Sequence, residues 1–172
     1  MRIVEASRQG NRHAQQQLYE EFKDKVLRLV VHMVGQQDAP DLVQQIFLQM
    51  FHKVGQYTGR AQFGTWLYRL AINECLQFRR RTRNSTCCAL PHETIDESTS
   101  WSLQSENQEL LGRALKGIDE GLRAIFLLRE VEELSYSEIA SVLQISAGTV
   151  GSRLNRARSR LREELIELGW EP

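Results

Sequence analysis

From Val150 to Leu168 apolar side chains return at steps of four and three: Val150, Leu154, Ala157, Leu161, Leu165 and Leu168. At 3.6 residues per turn they form one stripe, so the segment reads as a helix that lays this stripe on a core. Its flanks restrict it further. Thr149, Arg153, Arg156 and Arg160 follow one side of the stripe, Arg158 and Arg162 follow the other, and Ser152, Asn155 and Ser159 face away from the core. Between Ser146 and Arg162 there are five arginines and no acid. Such a helix suits the major groove of duplex DNA, where arginine takes phosphates or guanine edges and Ser or Asn reads bases. A merely solvated basic helix is the plainer alternative, and the lead-in argues against it. Ser135-Tyr136-Ser137-Glu138 is a capping box that opens a short helix bearing Ile139, Ala140, Val142 and Leu143. Gln144-Ile145-Ser146 makes a tight turn, Ser146 caps the final helix, and the small Ala140 lets the two helices cross closely. This is a helix-turn-helix.

The rest of the chain reads as helical too, since proline is scarce and apolar residues recur at helical spacing almost throughout. Gly10-Asn11 separates a short first helix from one over Arg12 to Val34, which Gly35 closes. Asp38 is expected to cap the next helix, with Pro40 in its first turn, running to about Val54. A glycine-bearing loop follows, and Thr65 is expected to cap a helix reaching about Arg81. From Thr82 to Ser105 the periodicity gives way to Ser, Thr, Asn and acids around Pro91, as in a flexible linker. The expectation is an all-α chain of two small helical domains, 1–83 and 106–172, joined by a linker over 84–105. As a flexible coil a linker of that length spans about 27 Å, and extended up to ~80 Å.

A formal net charge of zero across the 172 residues conceals an uneven distribution. Up to Asn84, thirteen Lys and Arg face seven acids, whereas Ser85 to Leu111 holds five acids and no Lys or Arg. The acidic middle cancels two basic segments that would otherwise show the footprint of a nucleic-acid binder. Three cysteines without a CxxC pair argue against a disulfide framework. Cys87 and Cys88 beside His92 read as linker residues without a special role, with a metal or oxidant sensor as the alternative. His32 and His52 have no carboxylate or cysteine at ligand spacing. No stretch is apolar enough to span a bilayer and the N-terminus lacks a secretory block, so a cytoplasmic protein is expected. No phosphate loop, nucleophile elbow or metal-ligand cluster is visible, so neither an enzyme nor a cofactor is expected.

Two further helix faces stand out. Trp66, Arg69, Asn73, Gln77 and Arg80 share one side of a helix whose other side carries Leu67, Leu70, Ala71 and Phe78. Aromatic rings stack on unpaired bases and amides read base edges, so this face suits an opened strand, with core packing of Trp66 as the alternative. The helix from Asp38 buries Leu42, Val43, Ile46, Phe47, Met50 and Phe51 and turns Asp41, Gln45, Leu48 and His52 outward. Leu48 is the odd member of that polar face: an innocuous exposed apolar residue on the plainer reading, a docking patch for a protein with Asp41 and Gln45 on the other.

In this order the segments resemble the extracytoplasmic-function sigma factors of bacterial RNA polymerase. Asp38-Ala39-Pro40-Asp41-Leu42-Val43-Gln44-Gln45-Ile46-Phe47 looks like their core-binding helix of conserved region 2. Phe63-Gly64-Thr65-Trp66-Leu67-Tyr68-Arg69-Leu70-Ala71-Ile72-Asn73 looks like the promoter-melting and −10 segment. Leu134 to Ala140 with Gly148 to Arg158 looks like the region 4 helix-turn-helix. The resemblance implies docking on core RNA polymerase through Asp41, Gln44, Gln45 and Leu48. It implies capture of a flipped −10 base near Asn73, supported by Trp66, Arg69, Gln77, Arg80 and the loop from Tyr57 to Gly64. It implies reading of the −35 element by Thr149, Ser152, Arg153, Asn155 and Arg156, with Arg129 on a phosphate, and an anti-sigma partner. Gln45 stands where an acid is common, Gly151 where Lys or Arg is frequent, and Gln144 where a turn glycine is frequent. The rival expectation is a helix-turn-helix regulator that acts on duplex DNA without polymerase.

Overall fold

The computed structural model describes residues 2–86 and 106–171, with the backbone alone for 84–86 and 106–108. The linker expectation over 84–105, and with it Cys87, Cys88 and His92, lies almost wholly outside the described residues. Among those residues the elements are all helical: α1 (Arg2–Arg8), α2 (Arg12–Val34), α3 (Ala39–Lys53), a 3-10 turn (Val54–Gln56), α4 (Phe63–Thr86), α5 (Glu106–Gly117), α6 (Glu120–Glu130), α7 (Tyr136–Leu143) and α8 (Ala147–Glu167).

Local chemistry sets most of these bounds. The Asn11 side chain accepts from the Ala14 amide at 3.1 Å and starts α2, and Gly35, at φ +104°, ends it. Two expected caps do not form. Asp38 sits in helical conformation (φ −90°, ψ −14°) and makes no side-chain cap bond, so α3 starts through Pro40 and the Leu42 N–H to Asp38 carbonyl bond. Thr65 lies inside α4, which begins at Phe63; it is buried, and its hydroxyl donates to Glu138 at 3.4 Å. A tertiary partner took the hydroxyl that the sequence suggested for a cap. At its far end α4 outruns the expected Arg81 and continues to Thr86.

Around the core of the first half, α2, α3 and α4 bury Leu29, Met33, Ile46, Met50, Leu67, Ile72 and Cys75. In the second half Leu115, Ile125, Leu128, Ile139, Val150 and Leu154 close around α5 to α8. Each such side chain contributes about 1.5–3 kcal/mol by leaving water. The halves then pack on each other, α4 against α7 and the end of α2 against α5 and α6. Arg123 of α6, only 1 % exposed, crosses that boundary: Nη1 donates to the Met33 carbonyl at 2.9 Å, while Nη2 donates to Lys116 at 2.9 Å and Ile118 at 3.2 Å. Nearby, Arg79 meets Glu120 at 3.1 Å and the Tyr68 hydroxyl donates to Glu132.

Candidate nucleic-acid interface

The helix-turn-helix forms as its residues dictate. Ser135 accepts from the Glu138 amide at 3.3 Å while Glu138 accepts from the Ser135 amide at 2.9 Å, closing the capping box. These bonds hold the Glu138 carboxyl below its ordinary value, the Ser135 hydroxyl first and its amide second. Gln144 ends α7 in left-handed conformation (φ +54°, ψ +44°), which is why glycine is frequent at such a turn. Ser146 then accepts from Thr149 at 3.2 Å and starts α8.

On α8, Val150, Leu154, Ala157 and Leu161 are buried, and Ser152, Arg153, Asn155 and Arg156 stand exposed on the outer face. Thr149 is half-buried; its hydroxyl lies 2.7 Å from that of Ser146, and Ser152 donates back to the Thr149 carbonyl at 3.1 Å. The arginines divide into two sets. Arg158 binds Glu130 at 2.5 Å and Arg160 binds Glu163 at 2.7 Å, whereas no ion pair is recorded among the described residues for Arg153 or Arg156. Unpaired, exposed guanidiniums are the ones ready to meet phosphates or base edges. Arg129 is differently occupied: Nη1 donates to the Leu134 carbonyl at 2.9 Å and the guanidinium lies 5.5 Å above the Tyr136 ring, fastening the α6–α7 turn.

On α4 the second face is equally open, with Arg69, Asn73, Gln77 and Arg80 exposed in a row. Trp66 is half-buried and combines both readings of the sequence. Its ring packs at 5.6 Å from Tyr57 and 5.4 Å from Phe63, and it also lines an open cavity of about 340 Å³. The other walls are Gln56, Tyr57, Thr58, Arg60, Ala61, Thr65, Arg69 and, from α7, Ser141. Asn73 lies outside this lining, one turn beyond Arg69. Arg60 is the residue that sequence reasoning passed over; the only charged side chain between Val54 and Tyr68, it was the available signal. An aromatic wall with a guanidinium and hydroxyls at its rim fits a planar, hydrogen-bonding ring that carries phosphate.

On α3, Asp41, Gln44, Gln45 and Leu48 emerge on one exposed side, Leu48 at 60 % exposure, opposite the buried Leu42, Val43, Ile46 and Phe47. Cys75 is sealed in the core, where burial pushes its thiol up to about 12. Burial, helped by Arg28, holds His32 below its ordinary value. No cluster of three or more His, Cys, Asp or Glu that could hold a metal occurs among the described residues, and no helix there is long and apolar enough to cross a membrane.

Comparison with known proteins places these surfaces in a lineage. Residues 18–85 match the family model for sigma-70 region 2 and residues 108–161 that for sigma-70 region 4. The chain is 31% identical to the ECF RNA polymerase sigma-E factor of Haemophilus influenzae, over 96% of this chain and 95% of that one. It is likewise 31% identical to the ECF RNA polymerase sigma-E factor of Escherichia coli K12, covering 96% and 94%. In fold it is similar to CnrH solved with the cytosolic domain of CnrY (TM-score 0.70, 23% identity, 98% and 97% covered). It is similar also to RpoE solved with the anti-sigma factor NepR from Bartonella quintana (TM-score 0.74, 22% identity, 90% and 98% covered). The chain belongs to the extracytoplasmic-function sigma factors of bacterial RNA polymerase.

Proposed function

We propose that this chain acts in the cytoplasm, docks on core RNA polymerase through the outer side of α3, reads the −35 duplex with α8, and holds an unpaired −10 base beside α4. The observation that carries this reading is the separation of three exposed surfaces onto three helices, each anchored by a buried seam on its opposite side. A duplex regulator needs only α8. The α4 row with its aromatic cavity, and Leu48 standing out of α3, have no purpose in such a protein.

The assignment of roles follows the chemistry. Arg156 and Arg153 supply charge to the duplex, while Asn155 and Ser152 face base edges between them. Thr149 and Arg129 organise the start of α8 and the turn beneath it, and Arg129, with only Nη1 engaged, keeps guanidinium donors for a phosphate. Trp66 stacks the captured base against Tyr57; Arg69, Asn73, Gln77 and Arg80 carry the strand along α4. The division 1–83, 84–105 and 106–172 gives each DNA element its own domain. RNA synthesis belongs to the polymerase. A protein partner of the anti-sigma kind is proposed as well, because both solved neighbours were captured with a bound partner protein.

The test is reconstitution. Purified protein added to core polymerase should start transcripts at a defined set of genomic promoters, and bind the same DNA weakly on its own. Arg156→Ala should lower that transcription by about ten- to a hundredfold, as expected for a lost guanidinium–base pair. Tight binding without polymerase, and no initiation with it, would favour the duplex-regulator reading instead.

A further inference from the structure

The loop between Tyr57 and Gln62 is a thin wall. On its α4 side is the cavity lined by Trp66, and on its α1 side a second cavity lies against Val4, Tyr57, Gly59 and Phe63. Tyr57 is buried against Phe63 and Trp66, but the residues from Thr58 to Gln62 stay exposed or half-buried and gain little from packing, so the position of the loop depends on tethers. One is internal: the Tyr57 hydroxyl donates to the Ala61 carbonyl at 2.6 Å. The other comes from α1. Arg8 Nε donates to the Val54 carbonyl at 3.1 Å, and Nη2 donates to Gly55 at 2.8 Å and to Tyr57 at 2.6 Å. Nη1 is held by Glu5 at 2.9 Å.

Those three carbonyls sit where α3 and its 3-10 turn run out, at the electronegative end of a helix, and that of Val54 also accepts a backbone bond there, from the Tyr57 N–H at 3.2 Å. A planar guanidinium spreads its donors over three acceptors and a carboxylate at once; an ammonium does not match that array. The bonds join residues 46 to 49 apart in sequence, so α1 dictates where the loop starts.

We infer that Arg8 is a positioning residue for −10 base capture: it touches no DNA, and it sets the loop that forms one wall of the base cavity. The inference rests on the proposed use of that cavity. Its effect is preorganisation, which lowers the ordering needed when the base enters.

The experiment uses holoenzyme reconstituted with core polymerase and labelled single-stranded oligonucleotides carrying the −10 strand of a promoter mapped from the protein's own transcripts. Each oligonucleotide is made intact and with one abasic site at each position. Wild type should lose about tenfold or more in affinity at the captured position. Arg8→Ala should reduce that penalty to about twofold or less, with core co-purification and −35 duplex affinity unchanged. Arg8→Lys should fall between. A full abasic penalty in Arg8→Ala overturns the inference, as does an equal loss of core, duplex and strand binding, which would make Arg8 a fastener of the fold. Should Arg8→Ala fail to fold by thermal unfolding, Arg8→Lys decides alone, and a wild-type penalty there overturns the inference. Wild type without any abasic-sensitive position would instead defeat base capture itself.

Discussion

Replacing Leu48 with Asp tests the docking face with a magnitude that the structure supplies. Leu48 keeps 60 % of its surface in water, so its removal takes little from the fold. Full burial of a leucine is worth about 1.5–3 kcal/mol, and the exposed share would yield about 1–2 kcal/mol if a partner covered it. An aspartate in the same contact adds the desolvation of an unpaired carboxylate, at least ~1–3 kcal/mol. The sum, about 2–5 kcal/mol, weakens association by roughly 30-fold to several thousandfold. Fluorescence anisotropy with core polymerase measures the affinity. Thermal unfolding and −35 duplex binding serve as controls that should not move, and Leu48→Met should stay close to wild type. A Leu48→Asp affinity within about twofold of wild type would refute the placement of polymerase on this side of α3.

Arg123→Met removes a buried guanidinium and leaves three carbonyls without their donor, a loss of about 3 kcal/mol after relaxation and a fall in Tm of about 6–12 °C. A calorimetric shift under about 2 °C would mean that water replaces the bonds without penalty. Gly151→Ala should stabilise the protein by about 0.8–1 kcal/mol, because Gly151 lies inside α8 and a Cβ there meets only Tyr136 at 3.6 Å; a loss in urea unfolding would expose an unseen clash. Glu138 has its pKa depressed by the Ser135 hydroxyl first, so its stabilisation is present above the ordinary carboxylate value and fades as pH falls through the lower folded value. The acid limb of a stability–pH curve should therefore flatten in Glu138→Gln, and an unchanged limb would place the titrating group elsewhere.

What the sequence made legible depends on how far each partner lies along the chain. The Ser146 cap, the Ser135–Glu138 box and the α8 seam each involve residues three or four apart, and each formed as read; the Asn11 cap, equally local, was not read from the sequence. The Asp38 and Thr65 caps failed because their environment is tertiary: Asp38 was drawn into helical conformation, and Thr65 turned toward Glu138, 73 residues away. Arg123 sits between Leu122 and Ala124 in a sequence that marks it as solvated, yet its acceptors include Met33, 90 residues distant. The cavity was legible only in part. Trp66 and Arg69 announce it by helical spacing, whereas Arg60 and Thr58 arrive from a loop with no period to read. Likewise the arginines of α8 look alike in sequence, and only the positions of Glu130 and Glu163 separate the paired ones from the free.

The packing of the two halves bears on how one chain serves two DNA elements. Every lining residue of the base cavity except Ser141 falls between Gln56 and Arg69, within the first half. The α8 seam packs chiefly on α5, α6 and α7, within the second. What joins the halves is a buried apolar cluster that runs through both, where α4 packs on α7 and α2 on α5 and α6, together with polar bridges: Thr65 to Glu138, Tyr68 to Glu132, Arg79 to Glu120 and Arg123 to Met33. Among the described residues three buried side-chain polar atoms lack a partner, and two of them, Arg123 Nε and Glu132 Oε1, lie at this junction. A buried unpaired polar atom opposes the packing that buries it, and water satisfies it on exposure. The apolar packing shared by the two halves outweighs that cost and holds them together. Parting the halves would therefore relieve two unsatisfied atoms but expose the apolar surface that they share, while the outer face of α8 keeps the buried seam that shapes it.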